Sequence, residues 1–290
     1  MQKLIYQNLR GENVAFFHAP FVLCKVRGVG MNDVKITASS GAYQQGESLV
    51  SLRREARKVK VTLHLMAASR EEMYRLRSQL LSALSPDKAF DGENRARLIY
   101  ENDYGRRWTW ATPESGLDWG DRKQNAHPSL SLTFRCESPY WYSVGKSEAV
   151  FRARENGFTL PRALPLRLGS KVFQQILRNG GQSDAPVWIG VEGKGESPTL
   201  INDSTGALLR LISPLPAGDV LEVNTDPAAL AVRVRHPDGS EENGFGLLDP
   251  TSSVAAFCLR PGENELRYVP EGDGSETAIR ISWYELYEGV

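Results

Sequence analysis

Several things are scarce in this 290-residue chain, and each scarcity excludes a class of protein. No apolar run approaches the roughly 20 residues that a membrane-crossing helix needs. The best candidate for a secretion leader, VAFFHAPFVLC at Val14–Cys24, contains His18 and Pro20 and follows Arg10 and Glu12. It therefore fails as an apolar leader core, and synthesis and folding in the cytoplasm are expected. The three cysteines, Cys24, Cys136 and Cys258, lie more than a hundred residues apart with no CxxC spacing. That pattern excludes a disulfide framework and a zinc site, and buried, inert thiols are expected. The four histidines, His18, His64, His127 and His236, are scattered, and neither H-E-x-x-H nor G-x-S-x-G occurs. GVEGKGES at Gly190–Ser197 lacks phosphate-loop spacing and has no following helix. Glu241-Glu242 and Asp249-Pro250 read as solvated turns. No catalytic, cofactor-binding or metal-ligating residue is assigned, and no enzymatic activity or cofactor is expected.

Net charge is absent too, but the charge is not evenly spread. Residues 1–145 carry 21 Lys/Arg against 15 Asp/Glu, and residues 146–290 carry 14 against 20. This split suggests two domains of opposite sign and permits head-to-tail contact between copies. It is too dispersed for a nucleic-acid footprint, which needs a concentrated basic patch. The one basic cluster, Arg53, Arg54, Arg57, Lys58 and Lys60, reads as a solvated strand edge.

What is present is mostly β pattern. KVKVTLHL sets Val59, Val61, Leu63 and Leu65 on one strand face and Lys60, Thr62 and His64 on the other. Further strands are expected at Leu4–Tyr6, Phe21–Val29, Ala96–Glu101, Arg106–Thr112 and Leu130–Cys136. A single helix is expected over about 70–84. Ser69 and Glu72 form a capping box, Met73, Leu76, Leu80, Leu81 and Leu84 recur at helical spacing, and Pro86 stops the run. After residue 145 about nine short strands alternate with turns such as Asn179-Gly180-Gly181 and Asp238-Gly239, with no convincing helix. Ile279, Ile281 and Trp283 should face their core. The chain is thus read as mainly β. Residues 1–143 form an antiparallel β-sandwich or split barrel with one packed helix, and residues 144–290 form a jelly-roll, galectin-like sandwich.

Four features stand out against this background. Ile36–Val50, ITASSGAYQQGESLV, is a long polar segment, read as a long hairpin loop or as a protruding arm with Ser39, Gly41, Tyr43, Gln45 and Gly46 as candidate contacts to a neighbouring subunit. Glu114–Ser129 is a second irregular segment. Pro139, Tyr140, Trp141 and Tyr142 follow a clean strand; Pro139 lacks a donor, and three aromatics offer large buried area, so a domain junction is expected there, with a sugar platform or packing entirely inside the first domain as the alternatives. Trp188 falls on the face opposite Val187, Ile189 and Val191, where an exposed ring could stack on a sugar.

Several segments, in order, resemble the distal tail protein family of bacteriophages with long non-contractile tails. They are LIYQNLRGENVAFFHAPFVLCKVRGVG, RKVKVTLHLMAASREEMYRLRSQLLSALSP, LIYENDYGRRWTWA and FRCESPYWYS. In the second half come NGGQSDAPVWIGVEG, PTLINDSTGALLRL, AGDVLEVNT, LRPGENELRY and YEGV. Ser138-Pro139-Tyr140 departs from the family's commoner Asp-Pro-Tyr. The resemblance implies a first domain that closes into a ring, usually a hexamer, in the virion tail tip. Its implied partners are the tail tube protein, the tail-associated hub protein of the tip or baseplate, the tape-measure protein and receptor-binding proteins. No membrane and no sequence-specific nucleic acid are implied. The alternative is a carbohydrate-binding β-sandwich that recognises a host surface through Trp188.

Overall fold

The structure, a computed structural model, describes residues 2–118, 129–152, 173–192, 196–271 and 277–290. The chain divides into two compact units, Met1–Val144 together with Tyr287–Val290, and Gly145–Leu286.

In the first unit, strands β1 (Lys3–Gln7), β2 (Asn13–Phe16), β3 (Phe21–Arg27), β4 (Val34–Ser39), β5 (Ser48–Arg54) and β6 (Arg57–Leu65) precede helix α1 (Arg70–Ala83). Strands β7 (Arg97–Asn102), β8 (Gly105–Trp110), β9 (Thr112–Gly116), β10 (Ser129–Cys136) and β11 (Trp141–Ser143) follow it. One sheet runs β2-β1-β7-β8-β11, and the chain returns at Tyr287 to close its far edge. A second sheet runs β3-β6-β10-β9. Alternation sets which residues meet between them. Val59, Val61, Leu63 and Leu65 of β6 and Leu130, Leu132, Phe134 and Cys136 of β10 share one core with Leu4, Tyr6 and Phe16.

Helix α1 starts as its sequence requires. The Ser69 hydroxyl accepts the Glu72 amide at 3.1 Å, and the Glu72 carboxylate takes the Ala68 amide at 2.8 Å, one residue earlier than in the standard capping box. Loss of such a cap costs about 1 kcal/mol. Met73, Leu76, Leu80 and Leu84 pack into the core, but Leu81, also expected there, is 50% exposed. It lies one residue past Leu80, about 100° round the helix, and so turns outward.

In the second unit, β12 (Ser147–Arg152), β13 (Phe173–Asn179), β14 (Ala185–Glu192), β15 (Glu196–Asn202), β16 (Ala207–Arg210) and β17 (Val220–Asn224) lead to β18 (Ala231–Arg235). Then come β19 (Glu241–Asn243), β20 (Cys258–Leu259), β21 (Gly262–Glu271) and β22 (Ala278–Trp283). One sheet runs β12-β22-β14-β17-β18-β19 with β20 paired to β14, and the other runs β13-β21-β15-β16. Register explains the core: Val187 lies opposite Trp283, Ile189 opposite Ile281 and Val191 opposite Ile279, all buried. Leu177, Leu200, Leu209, Leu266 and Tyr268 of the second sheet belong to the same cluster. Glu241 and Glu242, read as a turn, form the exposed edge strand β19. Asp249 does make a turn, accepting from the Thr251 amide and hydroxyl at 2.8 and 2.6 Å.

The cysteines differ from one another. Cys136 is fully buried, and burial pushes its thiol up to about 12. Cys258 is half-buried, with its thiol also raised by burial. Cys24, expected to be buried, is exposed. Cys24 follows Leu23, which lies opposite buried Leu63, so alternation turns it outward; the register shift between Leu23 and Lys25 then sets Val26 rather than Lys25 opposite Val61. His127 and residues 193–195 of the Gly190–Ser197 segment lie outside the described residues, as does most of Glu114–Ser129.

Candidate functional site

The segment read as a polar arm is a β-hairpin. Strands β4 and β5 pair with each other and, among the described residues, with nothing else. Residues directly opposite in an antiparallel pair share a face. Val34 therefore lies with Arg54, Ile36 with Leu52, and Ala38 with Leu49, while Lys35, Thr37 and Ser39 face Arg53, Ser51 and Ser48. A register shift beside Ala38 brings Leu49 rather than Val50 opposite it, so the bulge keeps Leu49 on the apolar face. The hairpin is amphipathic, yet its apolar face is bare: Ile36, Leu49 and Leu52 are each 60–61% exposed. At the tip, Ser39, Gly41, Gln45 and Gly46 are exposed and Tyr43 extends fully into solvent. Inside the tip the Gln44 side chain accepts the Gly41 amide and donates to the Ser48 hydroxyl.

The base of the hairpin is anchored by the basic cluster, which is not uniformly solvated. Arg53, Arg54, Lys58 and Lys60 are exposed, but Arg57 is fully buried. Its guanidinium donates to the carbonyls of Gly28 (2.7 Å), Gly30 (2.6 Å), Pro139 (3.1 and 2.7 Å) and Glu288 (2.6 Å). A planar fork with five donors suits such a cage, whereas an ammonium with three does not. Burial lowers the Arg57 pKa. Gly28 completes the cage: it has φ +84°, and a Cβ there would meet the Lys58 carbonyl oxygen at 2.0 Å.

Arg54 and Arg57 also join the hairpin to the aromatic cluster. Arg54 stacks over Tyr140 at 5.4 Å, and Arg57 lies over Trp141 at 5.7 Å. Trp141 is fully buried in the first unit's core, 6.1 Å from the Tyr100 ring. Tyr142 stacks on Trp108 at 4.7 Å, and the Trp108 indole donates to the Ser143 carbonyl at 2.8 Å. Pro139 supplies its carbonyl to Arg57. Each of these contacts lies within the first unit. The sequence carried a signal for Arg57: it stands in phase with Val59, Val61, Leu63 and Leu65, the core face of β6.

In the second unit Trp188 takes the outward face of β14, as the alternation requires, and is half-buried. Lys146 Nζ lies 4.3 Å from its ring centroid and Tyr284 meets it edge-on at 6.0 Å. Trp188 borders a hollow of about 500 Å³ shared with Glu192, Glu222, Arg233 and Arg280. Among the described residues no cluster of His, Cys, Asp and Glu could hold a metal ion. No helix among them is long and apolar enough to cross a membrane.

Two sheets that share one core with a single helix, an amphipathic hairpin left outside them, and a second unit built as a two-sheet sandwich make a distinctive sequence of parts. This fold resembles that of the SPP1 Dit (gp 19.1) protein. The likeness covers 99% of each chain with a TM-score of 0.66 at 12% identity. The SPP1 Dit protein is described as a paradigm of the hub adsorption apparatus in phages that infect Gram-positive hosts. A chain of the phage P2 baseplate in its activated, calcium-bound conformation matches over 100% of this chain and 99% of its own, with a TM-score of 0.55 and 13% identity. The strontium form of the p2 baseplate gives 97% and 98% coverage, a TM-score of 0.53 and 13% identity. No protein-family model matches the sequence, and no curated protein does. With Dit the likeness is one of fold, and it spans both units.

Proposed function

We propose that this chain is a structural hub protein of a phage tail tip, which assembles as a closed ring and joins the tail tube protein to tail-associated proteins of the tip or baseplate. The observation that carries the reading is the whole-chain likeness to Dit and to baseplate chains, in both units and in their order. The bare hairpin supports the ring. A contact in which one patch meets a different patch on the next copy repeats, and it closes when the rotation between copies divides a full turn. An amphipathic strand pair with nothing on its apolar face suits one half of such a contact. In this reading Ile36, Leu49 and Leu52 cover a neighbouring subunit, with Tyr43 at the tip reaching furthest. The tape-measure protein and receptor-binding proteins are further partners that a tip hub would meet, and the virion is its location. The role is geometric and uses no reaction.

Negative-stain electron microscopy with light scattering over a range of concentrations tests this. Closed rings with a central channel are expected, and the Leu49→Asp/Leu52→Asp double variant should fold yet remain as single copies. Single copies of the parent protein at every concentration would count against the ring. The carbohydrate reading needs Lys146 to leave the Trp188 ring before a sugar can stack on that face. Quenching of Trp188 fluorescence by a panel of oligosaccharides would revive it.

A further inference from the structure

Tyr287–Val290 belongs to the first unit, and each of its four residues makes its own contact there. The Tyr287 ring lies against the Arg107 guanidinium, 3.5 Å from centroid to cation. Glu288 gives its carboxylate to Arg54 at 2.5 and 3.2 Å and its carbonyl to buried Arg57 at 2.6 Å. The Gly289 carbonyl accepts from Arg107. A Cβ on Gly289 would come within 3.0–3.1 Å of the Gly30 backbone and the Val29 carbonyl oxygen, tighter than most real Cβ contacts, so that backbone would have to give by a few tenths of an ångström. The Val290 amide donates to the Val29 carbonyl at 3.0 Å, and its side chain packs on the core. Stacking, charge, a missing side chain and apolar fit are four different recognitions in four consecutive residues. Generic packing would require none of them.

The same contacts reach the base of the hairpin. Arg54, which holds Glu288, is the last residue of β5 and stacks on Tyr140. The next residue, Glu55, bonds back across the hairpin base, its amide to the Asp33 carbonyl at 3.2 Å and its carbonyl to the Asn32 side chain. We propose that the first unit holds a recognition cleft for an extended peptide of the form aromatic-acidic-glycine-apolar. Its occupant is the chain's own Tyr287–Val290, and this clasp fixes the direction in which the β4–β5 hairpin leaves the unit. The consequence for assembly rests on the ring reading, because a hairpin with a loose base cannot present one geometry to a neighbour.

Amide hydrogen exchange on the full chain tests the clasp. In Gly289→Val the added side chain should expel the segment, and the Glu55 and Val290 amides should exchange about tenfold faster, the scale of losing a hydrogen bond to a charged group. The Leu63 and Leu132 amides, in the strands of the core, should keep their rates. Glu288→Gln retains the carbonyl bond to Arg57, so it should give a smaller acceleration at Glu55 alone. An unchanged Glu55 rate in Gly289→Val, with Val290 opened, would show the segment to be a bystander and overturn the proposal. Equal acceleration at Leu63 and Leu132 would make the segment part of the core and overturn it as well. Ring formation is not read in this experiment, so a protein that never closes into rings would sink the hub function and leave the clasp standing.

Discussion

Strands β5 and β6 are separated by two residues, Glu55 and Ala56, and meet opposite fates. β6 lies between β3 and β10 and buries every second side chain from Arg57 to Leu65. Among the described residues β5 pairs only with β4, and all seven of its residues are exposed. The two are similar in length and both alternate, so strand propensity does not separate them. A strand stabilises a fold when a second layer covers its apolar face, and for β4–β5 the described residues of the unit supply no such layer. The hairpin is held instead at its base, by Arg54, Arg57 and the glycine-rich turn that Arg57 grips. Apolar side chains kept bare on an ordered strand pair point to a surface that lies outside this chain.

The sharpest way to break that comparison is to remove the anchor. Arg57→Met leaves five hydrogen bonds to carbonyls unmade in a buried site, and an unmade bond to a charged donor costs about 1.5–3 kcal/mol where water cannot replace it. Allowing for partial hydration, chemical denaturation should show a loss on the order of 3 kcal/mol or more. Arg57→Lys should recover only part of it, since an ammonium cannot span four carbonyls. A loss under about 1 kcal/mol for Arg57→Met would mean that the cage relaxes and the hairpin base stands by other means.

A milder pair of substitutions sets the two strands directly side by side. Leu63→Ala on β6 empties part of a closed core and should cost about 2–5 kcal/mol. Leu52→Ala on β5 removes a side chain that is 60% exposed and should stay within about 0.5 kcal/mol for single copies. If Leu52→Ala costs as much as Leu63→Ala under conditions where the protein is a single copy, the apolar face is already covered. If its cost appears only where copies associate, the face belongs to the interface.

The parts governed by periodicity were legible in the sequence. The capped helix, the alternating faces of β6 and β10, and the second core with Ile279, Ile281 and Trp283 all follow from local spacing, which tertiary contacts then reinforce. Arg57 was legible too, from its phase with Val59, although its charge suggested a solvated edge. So was the amphipathic hairpin: Val34, Ile36 and Ala38 alternate with Lys35, Thr37 and Ser39, but the Gly, Ser and Gln of the tip gave the whole stretch the look of a loop. Other features had no local signal. The bulge at Cys24, which sets Val26 rather than Lys25 opposite Val61, depends on how β3 registers against β6. Trp141 packs in a core assembled from strands far away in sequence. The return of Tyr287–Val290 to the first unit is a long-range contact, and nothing in those four residues announces its destination.

The smallest expected effect lies in the second unit, at the end of strand β18, beside the solvated edge strand β19. His236 Nδ1 is 3.1 Å from the carboxylate of buried Asp219 and its Nε2 is 3.7 Å from Glu242. The hydrogen bond to Asp219, helped by the charges of Asp219, Glu242 and Asp238, raises the imidazole pKa above its ordinary value. A group whose folded pKa is raised binds its proton more tightly in the folded state. Its stabilising contribution is therefore complete below the unfolded value of about 6.5 and fades as pH rises through the folded value. The advantage of the parent over His236→Asn in thermal melts should be largest near about pH 6 and should shrink towards about pH 9. An imidazole titration followed by NMR should place its midpoint above about 6.5 in the parent and lower it in Asp219→Asn. Because the imidazole is partly open to solvent, salt should weaken the effect. A titration unmoved by Asp219→Asn would show that the carboxylate only accepts a neutral hydrogen bond and adds no pH dependence to this sheet edge.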